Sequence, residues 1–550
     1  MKKRTFIISV ILGVVLSLNA TTRSDKNAIS KNLTIFNAIY KALQTSYVDT
    51  IDADKTMKAA IDAMLRGIDP YTEYYPEEDQ EDFLSVSTGE YGGIGSYIQQ
   101  RRGERVMVSE PREGSPAARA GLLPGDIFIA LDDDTVTTWT SSQVSERLKG
   151  QAGTKVRVTV QRPYVEDSIL TFDIMREKIE INPLTYYGLL NDGKTGYINL
   201  NTFNDKSYEK VRDALLDLKS KGIESLILDL RGNGGGILEG AVQILSLFVP
   251  KGTEVLRTRG RGLLNEKVYK TPNKPIDTEL PLTVLIDGNT ASSSEIVTGA
   301  IQDLDRGVIV GNRSFGKGLV QSSRQLPYDG LLKVTVARYY TPSGRCVQAL
   351  NYTQRNSDGS AGRTPDSLTT VFYTSTGREV RDGGGITPDI SVTLPEGNRL
   401  VYNIVSEGWD FDYATRFRAM NESIPAPQDW VLTDSIYEDF KAFIDPEKLH
   451  YDRVCEIITD ELEKAAKSEG YDTPEVQEQI ASLKKLLKHD LNHDLDQQRE
   501  MISNYLTAEI LQRYYYDRGV IIESLNHDPD VDAAIEVLND PKRYKEILGR

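Results

Sequence analysis

The amino-acid sequence predicts a multidomain α/β protein: a helical arm first, a small β-rich domain second, an α/β core with a central sheet third, and a helical region last. Three observations carry this. At 550 residues and 39% hydrophobic composition the chain can bury several cores. Its hydrophobic period is helical to about residue 80, shifts to short alternating strands up to 178, and is helical and strongly charged after 395. Between 179 and 395 apolar β-branched runs alternate with amphipathic stretches, which is the pattern of an α/β domain.

Residues 1–20 start with Lys2, Lys3 and Arg4, continue as an apolar run over 6–18 and end in small residues near Ala20. The run is short for a membrane span and reads as a secretory signal peptide, with an uncleaved anchor as the alternative. No cysteine follows it, which argues against a lipoprotein. An exported chain of this kind is expected in the periplasm or cell envelope of a bacterium. The formal net charge of −16 makes nucleic acid an improbable partner. Cys346 and Cys455 are too few for a disulfide scaffold and read as two lone thiols.

In the arm, 21–81, the segments LTIFNAIYKALQTSYV and MKAAIDAMLRGI have helical spacing and are broken at Asp69-Pro70. They are expected to form a packing or dimerisation element, so that a homo-oligomer would be held through them. The next domain, 82–178, has the landmarks YGGIGSYIQQ, SPAARAGLLPGD, IFIALDDDTV and TKVRVTVQR, with one helix over 142–148.

The α/β part, 179–395, opens with GYINL as strand, YEKVRDALLDLKSKG as helix and ESLILDL as buried strand. RGNGGG at 231–236 then leads into the helix ILEGAVQILSLF. A glycine loop between strand and helix also suits a phosphate, but no lysine-serine or lysine-threonine pair follows it. LTVLID reads as a second buried strand, running through Asp287-Gly288-Asn289 into the helix SSSEIVTGAIQDL, with Glu295 in its first turn. VIVG delivers Ser314-Phe315-Gly316-Lys317-Gly318, DGLLKVTVARYYTPSGR continues the sheet, 357–385 is a polar excursion, and GITPDISV closes the core.

The serines at 292–294 sit at a helix N-terminus, where free N–H groups and the positive end of the dipole favour an oxyanion. Such a cluster also serves as a plain helix cap. The four histidines, His450, His489, His493 and His527, all lie in the last region, so a serine nucleophile here needs another base, and lysine is the known substitute. In the last region, 396–550, His489 and His493 have the spacing of one helix face, but no third metal ligand is evident and a solvated charged face is the simpler reading.

On these residues the chain resembles the carboxyl-terminal processing peptidases, also called tail-specific proteases, over roughly 29–392. The resemblance implies a Ser-Lys serine endopeptidase, with Ser292 as nucleophile, Lys317 as base 25 residues on and Gln321 orienting the lysine amine. It implies an oxyanion donor from Gly236 or Gly235, paired with the Ser293 amide, and no metal or cofactor. The sequence departs from the family at Ser293, where alanine is usual, which leaves Ser293 and Ser294 as rival serines. The 82–178 domain resembles a PDZ domain, a similarity that implies capture of a protein or peptide substrate by its C-terminal tail. Backbone N–H groups around Gly93, Ile94 and Gly95 would hold the tail carboxylate, and the strand Ser96, Tyr97, Ile98 would take the tail as an added strand. Ser96 departs from the apolar residue common at that place.

For Lys317 to accept a proton near pH 7, its amine must be neutral, although its reference pKa is about 10.4. Burial away from carboxylates would achieve that. Arg162, ending the strand VRVTVQR, is expected to gate the site by reaching toward polar groups near Gln321. Two rivals differ in class: a non-catalytic PDZ scaffold, which would need neither Ser292 nor Lys317, and a Ser-Lys acyl hydrolase of small esters, which would need no tail-binding domain.

Overall fold

Runs of leucine and β-branched residues at Thr195–Leu200, Ser225–Asp229, Leu282–Ile286 and Val308–Gly311 form the middle of a six-stranded sheet. Leu184–Leu189 pairs antiparallel at one edge, Ile390–Ser391 closes the other, and every pairing after the first is parallel. A parallel sheet needs cover on both faces. Accordingly Ser225–Asp229 and Leu282–Ile286 are buried at every position.

The helices Ser207–Ser220, Leu238–Leu245 and Ser293–Asp303 all pack on one face, through Val211, Leu215, Ile244, Ile296 and Val297. The opposite face is covered from the far end of the chain. Val531, Ala534 and Val537 of the helix Pro529–Leu538 pack against Ile227, Leu285, Val308 and Val310. The last helices therefore complete the α/β core, because the helices between its strands serve only the first face. The rest of the helical region has its own aromatic core, where Tyr413, Tyr437, Phe440 and Leu506 are buried. Its longest helix, Arg499–Ser524, kinks at Tyr516.

The computed structural model describes residues 27–79, 88–166, 168–261, 266–393 and 397–550. The expected signal segment 1–20 lies outside the described residues. Two compact units result, one formed by the described residues up to Pro76 with Gln321–Val334, the other by Glu77–Val320 with Thr335–Arg550. In the first unit a helix over 27–46 precedes Ala53–Arg66, which Asp52 caps by accepting from the Lys55 N–H. Glu73–Tyr75 then pairs antiparallel with 331–333, and Lys333 Nζ meets Glu73 Oε2 at 2.8 Å.

In the β-rich module the strands Ser96–Gln99, Met107–Pro111, Ile127–Leu131, Lys155–Gln161 and Ile169–Met175 make one antiparallel sheet. Val156, Val158 and Val160 alternate inward, as period-two patterning requires. The helix Ser141–Leu148 begins with a capping box between Thr140 and Gln143. Glu90–Gly93 pairs with Glu177–Glu180, so the two ends of the module lie together.

Two local expectations change. The polar excursion contains paired strands, Ala361–Arg363 with Leu350–Arg355 and Val371–Tyr373 with Glu379–Arg381. His489 does not share a helix face with His493: it precedes the helix Leu491–Gln497, whose cap is Asp490, and its N–H donates to Glu456 Oε1 at 2.9 Å.

Candidate active site

The strand Leu282–Ile286 ends in a turn held by Asp287. One of its oxygens, Oδ1, accepts from the N–H of Thr290 at 2.9 Å and of Gly232 at 3.0 Å, so this turn and the glycine loop share one anchor. Thr290 Oγ1 adds a bond to Leu230 O at 2.9 Å. The Ala291 N–H donates to Asn233 O at 3.0 Å. Two adjacent parallel strands thus deliver the glycine loop against the start of the helix Ser293–Asp303.

Ser292 stands at that junction with φ 56° and ψ −116°, a region that L-residues rarely adopt. Such a conformation costs about 1–3 kcal/mol and persists only where surrounding bonds impose it. Here the Ser292 N–H donates to Glu295 Oε2 at 3.0 Å, and its carbonyl accepts from Ile296 N at 2.9 Å and from the Tyr339 hydroxyl at 3.2 Å. The three serines are not equivalent. Ser293 Oγ donates to Gly236 O at 2.9 Å and Ser294 Oγ to Asn233 O at 2.8 Å, both from buried side chains. Ser292 is the half-buried one.

Gly235 and Gly236 take φ values of 98° and 144°. A Cβ on Gly235 would lie 2.8 Å from the Ser292 Cβ and 2.9 Å from the Ser293 nitrogen, so the loop and the serine are in direct contact. The Gly235 N–H is committed to Asn233 Oδ1 at 2.8 Å. The N–H groups of Gly236 and Ser293 have no partner among the described residues. Of the two glycines considered, Gly236 is therefore the one with a free donor.

Lys317 is half-buried, in the loop after Val308–Gly311. Its backbone N–H donates to Glu295 Oε2 at 2.8 Å, the oxygen that also holds Ser292. Glu295 Oε1 accepts from Gly316 N at 2.8 Å and from Ser314 Oγ at 2.5 Å. Glu295 is fully buried, and desolvation pushes its carboxyl above the ordinary range against the opposing pull of these donors. Phe315 N reaches Thr290 O at 3.0 Å, completing the attachment of this loop to the serine turn. Gln321 lies half-buried in the strand Leu319–Gln325, in the unit that holds the N-terminal helices, whereas Ser292 and Lys317 belong to the larger unit.

Sequence reasoning noted Glu295 as a first-turn acid and missed its reach to the lysine loop; its place three residues after a capping serine was the available signal. It also missed the outer support of the glycine loop. Arg231 Nη2 meets Asp229 Oδ2 at 2.7 Å, and its Nη1 donates to Asp528 Oδ1 and Asp530 Oδ2, each at 3.0 Å. Asp229 Oδ2 also accepts from the buried Tyr197 hydroxyl at 2.6 Å.

In the β-rich module, the turn Gly93, Ile94, Gly95 and the strand residues Ser96, Tyr97 and Ile98 line one cavity of about 310 Å³, opposite Ser145 and Leu148 of the helix Ser141–Leu148. The N–H groups of Ile94 and Gly95 have no partner among the described residues, while the carbonyls of both accept bonds from the 112–117 segment. Gly95 has φ 73°, and a Cβ there would meet the Ser115 Cβ at 2.5 Å.

Arg162, expected to gate the site, is engaged within its own module. Its Nε and Nη2 close a bidentate pair onto buried Asp126 at 2.8 and 2.7 Å, and Nη2 also donates to Gly121 O. All these partners belong to its own module. A buried carboxylate thus holds the guanidinium inward.

Comparison with known proteins follows the same division of the chain. Residues 194–354 match peptidase family S41, residues 107–162 a PDZ domain, and residues 400–538 the C-terminal helical domain of a "Probable PDZ-protease". A carboxy-terminal-processing protease of Bartonella bacilliformis is 34% identical over 355 residues, which cover 63% of this chain and 80% of that protein. A "Probable CtpA-like serine protease" of Staphylococcus aureus is 32% identical over 366 residues, covering 63% and 71% respectively. Among solved structures, the photosystem II D1 C-terminal processing protease aligns with a TM-score of 0.35 and 26% identity, over 65% of this chain and 92% of that one.

Proposed function

We propose that this chain, which belongs to the carboxy-terminal-processing serine proteases of peptidase family S41, cuts proteins near their C-termini by a Ser292–Lys317 pair after its PDZ domain has captured the tail. Ser292 Oγ attacks the scissile carbonyl and the neutral Lys317 amine takes its proton. The tetrahedral oxyanion is met by the N–H groups of Gly236 and Ser293, and Gln321, a neutral partner, orients the amine without restoring its charge. The proton then passes to the leaving amine, and water repeats the sequence on the acyl-enzyme. No step draws on a metal or cofactor.

One observation carries this reading: the serine with the strained backbone is the half-buried one of the three, and it adjoins two donors that have no partner among the described residues. A plain helix cap has no need of that strain. Tail capture is supported by the cavity beside Gly93–Ile94–Gly95 and by the free N–H groups of Ile94 and Gly95.

Export to the periplasm or cell envelope, with 1–20 as a cleaved signal, belongs to the same reading, and among the described residues no helix is long and apolar enough to cross a membrane. Homo-oligomerisation through the arm is supported by the exposed Ile29, Leu33, Phe36 and Leu43 of the helix over 27–46. Sedimentation of the chain with and without 27–46 tests it.

The test of the whole is to incubate wild type and Ser292→Ala with an unfolded protein, with free and with amidated C-terminus, and to read the fragments by mass spectrometry. Wild type is expected to cut the free-acid substrate, more slowly the amidated one, and Ser292→Ala neither. Equal cutting by both enzymes would overturn the catalytic assignment, and equal cutting of both substrates would remove tail capture.

A further inference from the structure

In a chain of net charge −16, the tail cavity is lined, among the described residues, by two cations, Arg112 and Lys149, and by no Asp or Glu. Arg112 follows the strand Met107–Pro111, and its backbone N–H donates to Gly95 O at 2.9 Å, which fixes it beside the carboxylate-holding turn. Its guanidinium lies over the Tyr97 ring, 4.4 Å from the centroid, and Nη2 donates to the Tyr97 hydroxyl at 2.5 Å. Tyr91, whose hydroxyl burial makes harder to ionise, faces the same cation. Nε is buried and has no partner among the described residues. Glu110, two residues back, feels this charge but turns its Oε2 to Gln512 of the helical region.

Two phenol side chains thus orient the guanidinium, and neither is a carboxylate. A fork of N–H donors in this state suits a carboxylate.

Strand alternation says which carboxylate. Ile98 packs against the module's core, so its neighbour Tyr97 points from the other side of the strand. A tail added along Ser96–Gln99 alternates in the same way. With its last side chain in the apolar end near Ile94 and Leu148, and its terminal carboxylate on the turn, the residue before the last projects to the side of Tyr97 and Arg112.

We propose that Arg112 reads an acidic side chain at the penultimate position, so that this peptidase selects tails ending in an acidic residue followed by an apolar one. The proposal rests on the tail-capture reading above and specifies its substrate class.

The test uses the full chain carrying Ser292→Ala and a series of labelled peptides identical except at their ends: Glu-Val, Ala-Val and Lys-Val free acids, and the Glu-Val amide. Anisotropy titration is expected to give affinity in the order Glu, Ala, Lys, with Glu about 5- to 20-fold tighter than Ala, the low end for a charge-assisted contact because Arg112 is only half-buried. Arg112→Gln should bring the Glu and Ala affinities together, the Glu peptide losing more than the Ala peptide, while an unchanged Tm shows that the groove is still folded. Arg112→Glu should reverse the order of Glu and Lys.

Equal binding of the Glu and Ala peptides by the parent, with the amide still weak, overturns this proposal and leaves tail capture standing. Persistence of the Glu preference in Arg112→Gln overturns it too. Equal binding of acid and amide overturns tail capture itself.

Discussion

Glu295 Oε2 accepts the backbone N–H of Lys317 at 2.8 Å, and the same oxygen accepts that of Ser292 at 3.0 Å. One buried carboxylate oxygen therefore sets the distance between the main chains of the proposed nucleophile and base. The second oxygen binds the Ser314 hydroxyl and the Gly316 N–H, so the side chain is surrounded by donors.

Replacing it with an amide turns an NH₂ group toward some of those donors. Glu295→Gln is expected to lose about 2 kcal/mol of stability. Cleavage should fall about 100-fold, because small displacements of catalytic groups carry large penalties. Thermal unfolding and kcat together check this, and a variant with wild-type kcat would show that the link is not needed.

Gly235→Ala is expected to fold less stably and to cleave poorly. The added Cβ would stand 2.8 Å from the Ala291 carbonyl oxygen and from Ser292 Cβ, at a φ of 98° that alanine resists. Since nothing movable lies there, Ser292 itself must shift. Peptide binding to the PDZ groove should be unchanged, measured by titrating a labelled tail onto the variant.

Asp528→Ala tests whether the end of the chain supports the active site. It removes one of the carboxylates on Arg231 and also the helix cap that accepts from Asp530 N at 2.9 Å. A loss of about 1–3 kcal/mol is expected from the two roles together. Because Arg231 opens the glycine loop, kcat should fall more than KM rises. Asp528→Asn keeps a cap and should recover much of the stability, but less of kcat.

These residues also mark how far the sequence could be read. The buried strands and the serine-bearing helix were legible because their patterns are local: Leu282–Ile286 is an unbroken apolar run, and Ser292 precedes a helical period. Glu295 was visible only as a first-turn acid, since its contact with Gly316 and Lys317 depends on the neighbouring strand. The pair Arg231–Asp528 joins positions 297 residues apart, and no local period encodes it. For the same reason the cover of the sheet's second face by Val531, Ala534 and Val537 could not be read from 396–550 itself, which looks like any charged helical region. Arg162 is legible as lying beside a strand end, one residue past Gln161, but the buried acid that claims it, Asp126, lies 36 residues earlier.

The junction between the PDZ module and the helical region should weaken as pH rises. Burial, with Asp517 and Glu509 nearby, pushes the Glu110 carboxyl up from its ordinary 4.5 to about 8, and Arg112 only partly opposes this. Between those values the folded protein keeps a proton that the unfolded chain gives up, so the folded state binds more protons and stability falls with rising pH. Glu110→Gln removes the effect. The variant's Tm should match wild type near pH 4.5 and exceed it increasingly toward pH 8. A constant difference across that window would contradict the burial argument.

The most direct measurement of the central claim is kcat for Ser292→Ala, Ser293→Ala and Ser294→Ala on one peptide substrate, each with its Tm. Ser292→Ala is expected to keep its Tm and lose about 1,000-fold or more in kcat, since removing a member of a catalytic unit leaves only the residual rate from binding and the oxyanion site. Ser293→Ala and Ser294→Ala give up bonds to Gly236 O and Asn233 O, so they should lose stability while retaining a measurable rate. Full activity in Ser292→Ala, with the rate lost instead in folded Ser293→Ala or Ser294→Ala, would contradict the assignment.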